Sequence, residues 1–405
     1  MRIAVFTDNF YPEIGGMQDS IRTTVRELGL RGHKVMVFAP AAATRDYQRA
    51  NLQVGEPELG ENVVIKRQFS IPVPSSSQQS RMVVPLGQSW REFAAFRPEV
   101  VHVHSFLGVG IEGLWSARRF GIPLVGTNHW AIGAFHMYAP VARKAFRYVS
   151  SNAVTGFYQR CDFVTGPSHF TLEDMRATGL NKPCRVISNP VDTRIFHRLP
   201  DTARRRLKAR LGLGNCTVIY AGRLAPEKNI DLLLTAVAEA SCALPEISLV
   251  LAGHGSHREK LQAMACSLGI QRRVFFVGTL SQKQLAEFFC AADLFAISST
   301  TETQSMVLLQ AMACGLPAVG VRCGGLTEHI PAYAGSLSEP GDTCGLSTNM
   351  RKILSAPGLR EKMGHQAGTF SDKFSTASTT DEWEDVYSGL VNERLPGRSP
   401  AYTPS

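Results

Sequence analysis

Short runs rich in Val, Ile, Leu and Phe alternate along the chain with longer segments whose apolar residues recur every three or four positions. The first half holds RIAVFTD, HKVMVFAP, VVIKR, EVVHVHS, IPLVGTNH, CDFVTGPS and CRVISNP. The second holds CTVIYAGR, ISLVLAGHG, RVFFVGTL, DLFAISS and LPAVGV. Most of these runs are nearly continuous in apolar residues rather than alternating with polar ones. A strand needs that composition when helices cover both its faces, so the runs predict parallel sheets. Segments such as IDLLLTAVAEASCAL and QKQLAEFFCAA suit crossover helices. The alternation predicts an α/β, doubly wound architecture.

The pattern breaks near Val191–Arg210, where VDTRIFHRLPDTARRRLKAR is polar and carries Pro200 shortly before a new strand. A chain of 405 residues is long for one core and comfortable for two. Two sheets are therefore expected, in domains spanning 1–195 and 196–374. SIPVPSSSQQSR, at 70–81, reads as a surface loop of the first domain. The helical pattern TTDEWEDVYSGLV comes after the second sheet has ended and predicts a helix at about 375–393 that returns to the first domain. The Pro- and Ser-rich tail, 396–405, is expected to be disordered.

Composition changes this picture little. Hydrophobic residues at 44% and charged residues at 19% are ordinary for a globular protein. Nine Cys without a C-x-x-C pair read as buried, reduced thiols of a cytosolic protein. The first residues, MRIAVFTDNF, form a strand rather than a secretory leader. No stretch approaches the ~20 apolar residues that span a bilayer. The chain thus reads as cytoplasmic, with room for peripheral attachment to the inner face of a membrane. A net charge of +9 favours anionic partners: phosphates, acidic lipid surfaces or nucleic acid. Lys and Arg are spread over both halves without a basic stripe, which argues against nucleic acid.

Ligands of open parallel sheets bind at the carboxyl ends of the strands, and two such sheets facing each other make a cleft. The chemistry-bearing residues follow strands accordingly. After the first comes DNFYPEIGGMQ, whose Gly15-Gly16 opens a helix. Such a pair is often a plain turn, but it also lets backbone N–H groups and a helix N-terminus approach an anion. It is not the G-x-G-x-x-G fingerprint of nicotinamide cofactors. After CTVIYAG, Arg223 and Lys228 lie five apart near a helix start and could clasp a diphosphate. In ISSTTETQSMVLLQAMACGLPAVG, Thr300 and Thr301 are candidate caps and Glu302 falls in the predicted first turn. Gln310 lies eight positions on, about two turns, so both side chains are expected on one face. His129 follows the strand IPLVGTN. His102 and His104 share a strand face in VVHVH, with His104 at the strand end and His102 reading as a core residue. The histidines lack the spacing of metal ligands, and no Asp-x-Asp follows a strand, so no metal site is expected.

Four segments in order, FYPEIGGMQ, VISNPVDTRIF, GRLAPEKN and TETQSMVLLQAMACGLPAVG, together resemble the retaining glycosyltransferases of family four. The resemblance runs to about Val391. It implies the GT-B fold, with two Rossmann-like doubly wound parallel-sheet domains facing across a cleft. The first would bind the acceptor and the second a nucleotide sugar. In that family the Gly-rich loop and the Arg–Lys pair hold the donor diphosphate, which places Gly15, Gly16, Arg223 and Lys228. The E-x7-E motif touches the transferred sugar with its first acid and the ribose with its second, which places Glu302 and position 310. Here the second acid is Gln310, whose amide oxygen still accepts one hydrogen bond but lacks charge.

His129 is implied beside the reacting centre, with His104 and Tyr138 on the acceptor side. The donor would be UDP- or GDP-linked, with no further cofactor. The TETQ variant is similar to relatives that glycosylate lipids, such as diacylglycerol glucosyltransferases. The basic, aromatic segment AIGAFHMYAPVARKAFRYVSS suits an anionic lipid surface, or an ordinary packed helix. The resulting expectation is retaining, metal-independent hexose transfer to a hydroxyl of a membrane lipid. A soluble sugar or natural product is the alternative acceptor. A nucleotide-sugar-binding protein with little turnover is the alternative class.

Overall fold

A computed structural model describes residues 1–50, 52–73, 81–132 and 143–393, the side chains of 143–149 excepted. The chain divides into two compact units, one of Met1–Pro190 with the segment from Thr376 onward, the other of Val191–Ser375.

In the first unit the apolar runs become β1 (Arg2–Phe6), β2 (Lys34–Pro40), β3 (Val63–Gln68), β6 (Val100–Val103), β7 (Leu124–Thr127), β8 (Phe163–Gly166) and β9 (Cys184–Val186). They form one parallel sheet in the order β3-β2-β1-β6-β7-β8-β9. The period of two sends alternate residues to opposite faces. Ala4 and Phe6 of β1 join Phe38, Val103 and Tyr158 on one face, while Ile3 and Val5 join Ile21, Val37 and Tyr387 on the other.

Tyr387 comes from the last helix, Thr376–Glu393. That helix buries Trp383, Val386 and Tyr387 against the first unit. The Tyr387 hydroxyl meets His102 Nδ1 at 2.7 Å, and Arg31 reaches Asp381 at 2.6 Å and Glu384 at 2.7 Å. The supposed surface loop at 70–81 differs from expectation. Its ends pair as a short antiparallel ladder of β4 (Ser70–Pro72) and β5 (Arg81–Val83). Arg81 fixes the ladder with bonds to Ser70 Oγ and Asp46 Oδ2, both 2.8 Å.

The second unit holds β10 (Cys216–Ala221), β11 (Ile247–Ala252), β12 (Val274–Gly278), β13 (Leu294–Ile297), β14 (Ala318–Val321) and β15 (Gly335–Ser338). All pair in parallel, in the order β12-β11-β10-β13-β14-β15. The edge strand β15, with the sequence GSLS, was not expected, because an edge position buries too little to demand an apolar run. All nine cysteines are free as expected, but only Cys161, Cys290 and Cys314 are buried, while Cys242, Cys266 and Cys344 are exposed.

Of the basic aromatic segment, Arg143 onward lies in the helix Arg143–Tyr158. Phe135, Tyr138 and the tail at 396–405 lie outside the described residues. Among the described residues, no helix is long and apolar enough to cross a membrane.

Candidate active site

In each sheet the strand order reverses once, at β1/β6 in the first unit and β10/β13 in the second. Such switch points open a crevice at the carboxyl ends of the two strands, because their connections leave in opposite directions. Several of the residues singled out in the sequence lie at these two places, among them Arg223, Lys228 and Glu302 in the second unit.

In the second unit, β10 runs into Arg223, followed by a single 3-10 turn, Pro226–Lys228, and the helix Ile230–Ser241. Asn229 adopts a left-handed conformation (φ 49°) that reverses the chain between turn and helix. Its side-chain amide donates to Ser298 O and Thr300 Oγ1, both at 3.3 Å. Ser298 Oγ in return donates to Lys228 O at 3.1 Å and Asn229 O at 2.8 Å. The turn that carries Lys228 is thus fastened to the end of β13. Across the switch point Lys228 Nζ meets Glu302 Oε1 at 2.5 Å. Arg223 lies beside them, with a guanidinium nitrogen 3.0 Å from Glu227 Oε1 and 44% of its side chain exposed to solvent.

The Glu302 segment is held from the other side by the loop after β14. Gly325 N donates to Glu302 O at 2.8 Å, and a Cβ on Gly325 would lie 1.9 Å from Thr303 O, so only glycine permits this approach. Burial by itself would raise the pKa of Glu302. The adjoining Lys228 charge and hydrogen bond outweigh it, with help from Ser299 and Arg223, and hold the carboxyl below its ordinary value. Glu302 is therefore an ionised acceptor at neutral pH.

The expected helix start needs correction. The helix is Met306–Ala313, capped by Ser305, whose hydroxyl accepts from Leu308 N at 3.4 Å. Thr300 and Thr301 do not cap it, and Glu302 stands on the preceding loop rather than in the first turn. The shared-face argument for Glu302 and Gln310 fails with it. Gln310 lies inside the helix and is buried.

In the first unit, Gly15 is the N-cap of the helix Gly16–Leu30, and no side chain caps that terminus. Its first N–H groups lack the partner that capping residues usually provide. Beyond β6, His104 Nδ1 and His129 Nε2 are 3.0 Å apart, so the structure brings together two histidines that the sequence could only nominate separately. His102 packs at a tilt against His104 at 3.9 Å between ring centroids, and both its ring nitrogens are bonded, to Tyr387 OH and to Thr127 Oγ1 at 2.6 Å. Burial lowers the pKa of His129 to about 4. Burial, assisted by the His129 charge, lowers that of His102 to about 3. His104 is pushed well down by burial and then by its two histidine neighbours. All three are neutral imidazoles at pH 7, so His129 offers a hydrogen bond rather than a charge.

Several supporting residues were missed. Asp8, just after β1, accepts from Val109 N at 2.9 Å, from Gly110 N at 3.3 Å and from Ser105 Oγ, which anchors the start of the helix Gly108–Phe120 beside His104. Burial raises its pKa. Asn229, Ser298 and Gly325 were equally invisible, because their partners lie far away in sequence. Among the described residues, no group of three or more His, Cys, Asp or Glu side chains is placed to hold a metal ion.

Residues 14–195 match the family model described as Glycosyltransferase Family 4, and residues 204–369 match Glycosyl transferases group 1. The chain is a glycosyltransferase of the type these two models describe. This glycosyltransferase is 28% identical over 324 residues to an alpha-monoglucosyldiacylglycerol synthase of Streptococcus pneumoniae, across 79% of this chain and 70% of the relative. It is 28% identical over 372 residues to a GDP-mannose-dependent alpha-(1-6)-phosphatidylinositol monomannoside mannosyltransferase of Mycolicibacterium smegmatis, across 88% of this chain and 90% of that one. Its fold is shared with an Anabaena protein solved in complex with UDP, at a TM-score of 0.76 and 19% identity, over 96% of this chain and 100% of the other. The two parallel-sheet α/β units are those of the GT-B fold.

Proposed function

We propose that this glycosyltransferase moves a hexose from a nucleoside-diphosphate sugar to a hydroxyl of a membrane lipid, with retention of configuration and without a metal ion. The observation that carries this reading is the Lys228–Glu302 pair at the β10/β13 switch point, with Arg223 beside it. A diphosphate arriving there would draw Lys228 and Arg223 to its oxygens, and Glu302 would be freed to accept hydrogen bonds from the transferred sugar. Fixed cations aimed at a departing diphosphate stabilise the charge that develops in the transition state. Gln310 would meet the ribose. The uncapped helix at Gly15 and Gly16 would add N–H donors to the phosphates. Neutral His129, paired with His104, would sit beside the acceptor hydroxyl and the transferred sugar.

The lipid acceptor draws support from the two relatives, whose names specify a diacylglycerol and a phosphatidylinositol mannoside. The donor is UDP- or GDP-linked on the same kind of support, UDP being bound in the Anabaena structure and GDP-mannose named for the mycobacterial relative. The enzyme would then work at the cytoplasmic face of a membrane. Gln310 in place of an acid favours one further reading, a nucleotide-sugar-binding protein with little turnover.

The test is to incubate the purified chain with UDP- and GDP-hexoses, with and without diacylglycerol or phosphatidylinositol in mixed micelles. Nucleoside diphosphate release, the anomeric configuration of the product and the effect of EDTA are measured. Release with one nucleotide, enhanced by lipid, unchanged by EDTA and giving an α-product from an α-donor is the expected result. Donor binding without release would favour the binding protein. Loss of activity on chelation, or an inverted product, would overturn the mechanism.

A further inference from the structure

The geometry points to a membrane-docking edge on the first unit, formed by the outward face of the β4–β5 ladder and the turn that follows it. We propose that it seats in the headgroup layer of an anionic bilayer. The ladder register pairs Ser70 with Val83 and Ile71 with Met82. Ser70 and Val83 face inward and are buried, whereas Ile71 and Met82 face outward, as do Phe69 and Val84 one step beyond the ladder. With Leu86, they make five of the fourteen exposed large apolar side chains of the described chain, all within this one short stretch. Phe69 is 70% and Leu86 77% exposed. Singly scattered apolar residues need no explanation, but a contiguous apolar face marks an interaction surface.

The face is held rigidly. Glu112, fully buried, accepts from the backbone N–H groups of Leu86 at 2.6 Å, Gly87 at 2.5 Å and Gln88 at 3.3 Å, and from Ser89 Oγ at 2.9 Å. Burying a carboxylate is costly unless it is well bonded, so the fold commits a fully satisfied internal acid to a turn whose leading side chain points into water. That arrangement displays Leu86.

The occupant is read from charge. Trp90 packs against Gly87, and the Arg119 guanidinium lies over the Trp90 ring at 4.6 Å. Arg119 is exposed and, among the described residues, not ion-paired. A second copy docked about a two-fold axis through this face would bring Arg119 towards its own image, which is repulsive. An anionic bilayer satisfies both parts, with apolar side chains among the upper acyl segments and Arg119 at the headgroup level.

This inference builds on the lipid-acceptor reading, but its test needs neither donor nor turnover. The full chain is sedimented with vesicles of phosphatidylcholine alone or mixed with phosphatidylglycerol. Wild type should partition onto the mixed vesicles, and less so as salt rises. Phe69→Ser/Leu86→Ser should weaken partitioning about tenfold or more, with the melting temperature unchanged, since both side chains are exposed. Arg119→Glu should weaken the preference for phosphatidylglycerol. Unchanged partitioning of the apolar double variant would overturn the proposal, as would a wild-type dimer that this variant dissociates. Vesicle binding by a chain that glycosylates no lipid would uphold the docking edge and refute the acceptor reading. Lipid turnover in micelles, with apolar-variant binding equal to wild type, would do the reverse.

Discussion

Lys228 and Glu302 neutralise each other in the free protein, so in the proposed binding mode a donor would exchange one favourable contact for two others. Removing either cation is expected to be expensive. Arg223→Ala and Lys228→Ala should each lower turnover at saturating donor about 100-fold, the equivalent of ~3 kcal/mol of transition-state stabilisation. The two variants should differ in pH dependence. Lys228 is the dominant influence that offsets burial and holds the Glu302 carboxyl down. Without it, burial prevails and the carboxyl pKa rises, so the acidic limb of the rate profile should move to higher pH in Lys228→Ala and much less in Arg223→Ala. Initial rates across pH measure this, and coincident limbs would remove Glu302 from the ionised role. Gln310→Glu is a separate case. A carboxylate accepts a ribose hydroxyl more strongly than an amide does, by ~1 kcal/mol, so donor should bind about fivefold tighter. Because position 310 is buried, the same charge should lower the melting temperature of the free protein. Calorimetric titration with the matched donor and thermal melts read the two effects. Unchanged affinity would mean that Gln310 serves helix packing and not the donor.

At the scale of elements, the last helix carries much of the first unit's integrity. Trp383, Val386 and Tyr387 fill one face of the sheet, and Tyr387 satisfies a ring nitrogen of His102. Tyr387→Phe keeps the volume but leaves that nitrogen without its partner, at a cost of about 1–3 kcal/mol. Truncation before Thr376 should abolish cooperative unfolding of the first unit. Circular dichroism with urea checks both, and an unaltered midpoint in the truncated chain would show that the helix is dispensable.

These elements were unequally legible in the sequence. A parallel strand covered on both faces must be apolar throughout, which is why HKVMVFAP and ISLVLAGHG could be read directly. The edge strand GSLS and the three-residue strands around Pro72 bury too little to leave that mark. The helix at Met306 started later than expected because STTETQS offers several hydroxyl caps. The choice of Ser305 goes with contacts from Asn229 and Gly325 that hold the preceding residues in a loop. The V-H-V-H alternation did place His102 and His104 on one face, but no local pattern could pair His104 with His129.

The whole molecule should respond to acid unevenly, because His102, His104 and His129 all belong to the first unit. In each, burial depresses the folded pKa, so the unfolded chain binds protons that the folded chain does not. The stabilisation is complete above the unfolded imidazole pKa of ~6.5. It is lost as pH falls from there towards the folded values, about 4 for His129 and about 3 for His102. Between pH 7 and 5 each of these two histidines should cost at most about 2 kcal/mol. The chain provides its own reporter for this. All four tryptophans, Trp90, Trp115, Trp130 and Trp383, lie in the first unit, so intrinsic fluorescence follows that unit alone while far-UV circular dichroism follows both. On acidification the fluorescence midpoint in urea should fall ahead of the remaining far-UV transition. His129→Gln, which cannot titrate, should flatten the fluorescence dependence by about one proton's worth, ~1.4 kcal/mol per pH unit. Fluorescence and far-UV midpoints that move together, with no flattening in His129→Gln, would place the acid-sensitive groups elsewhere and deprive the His104–His129 pair of its neutral state.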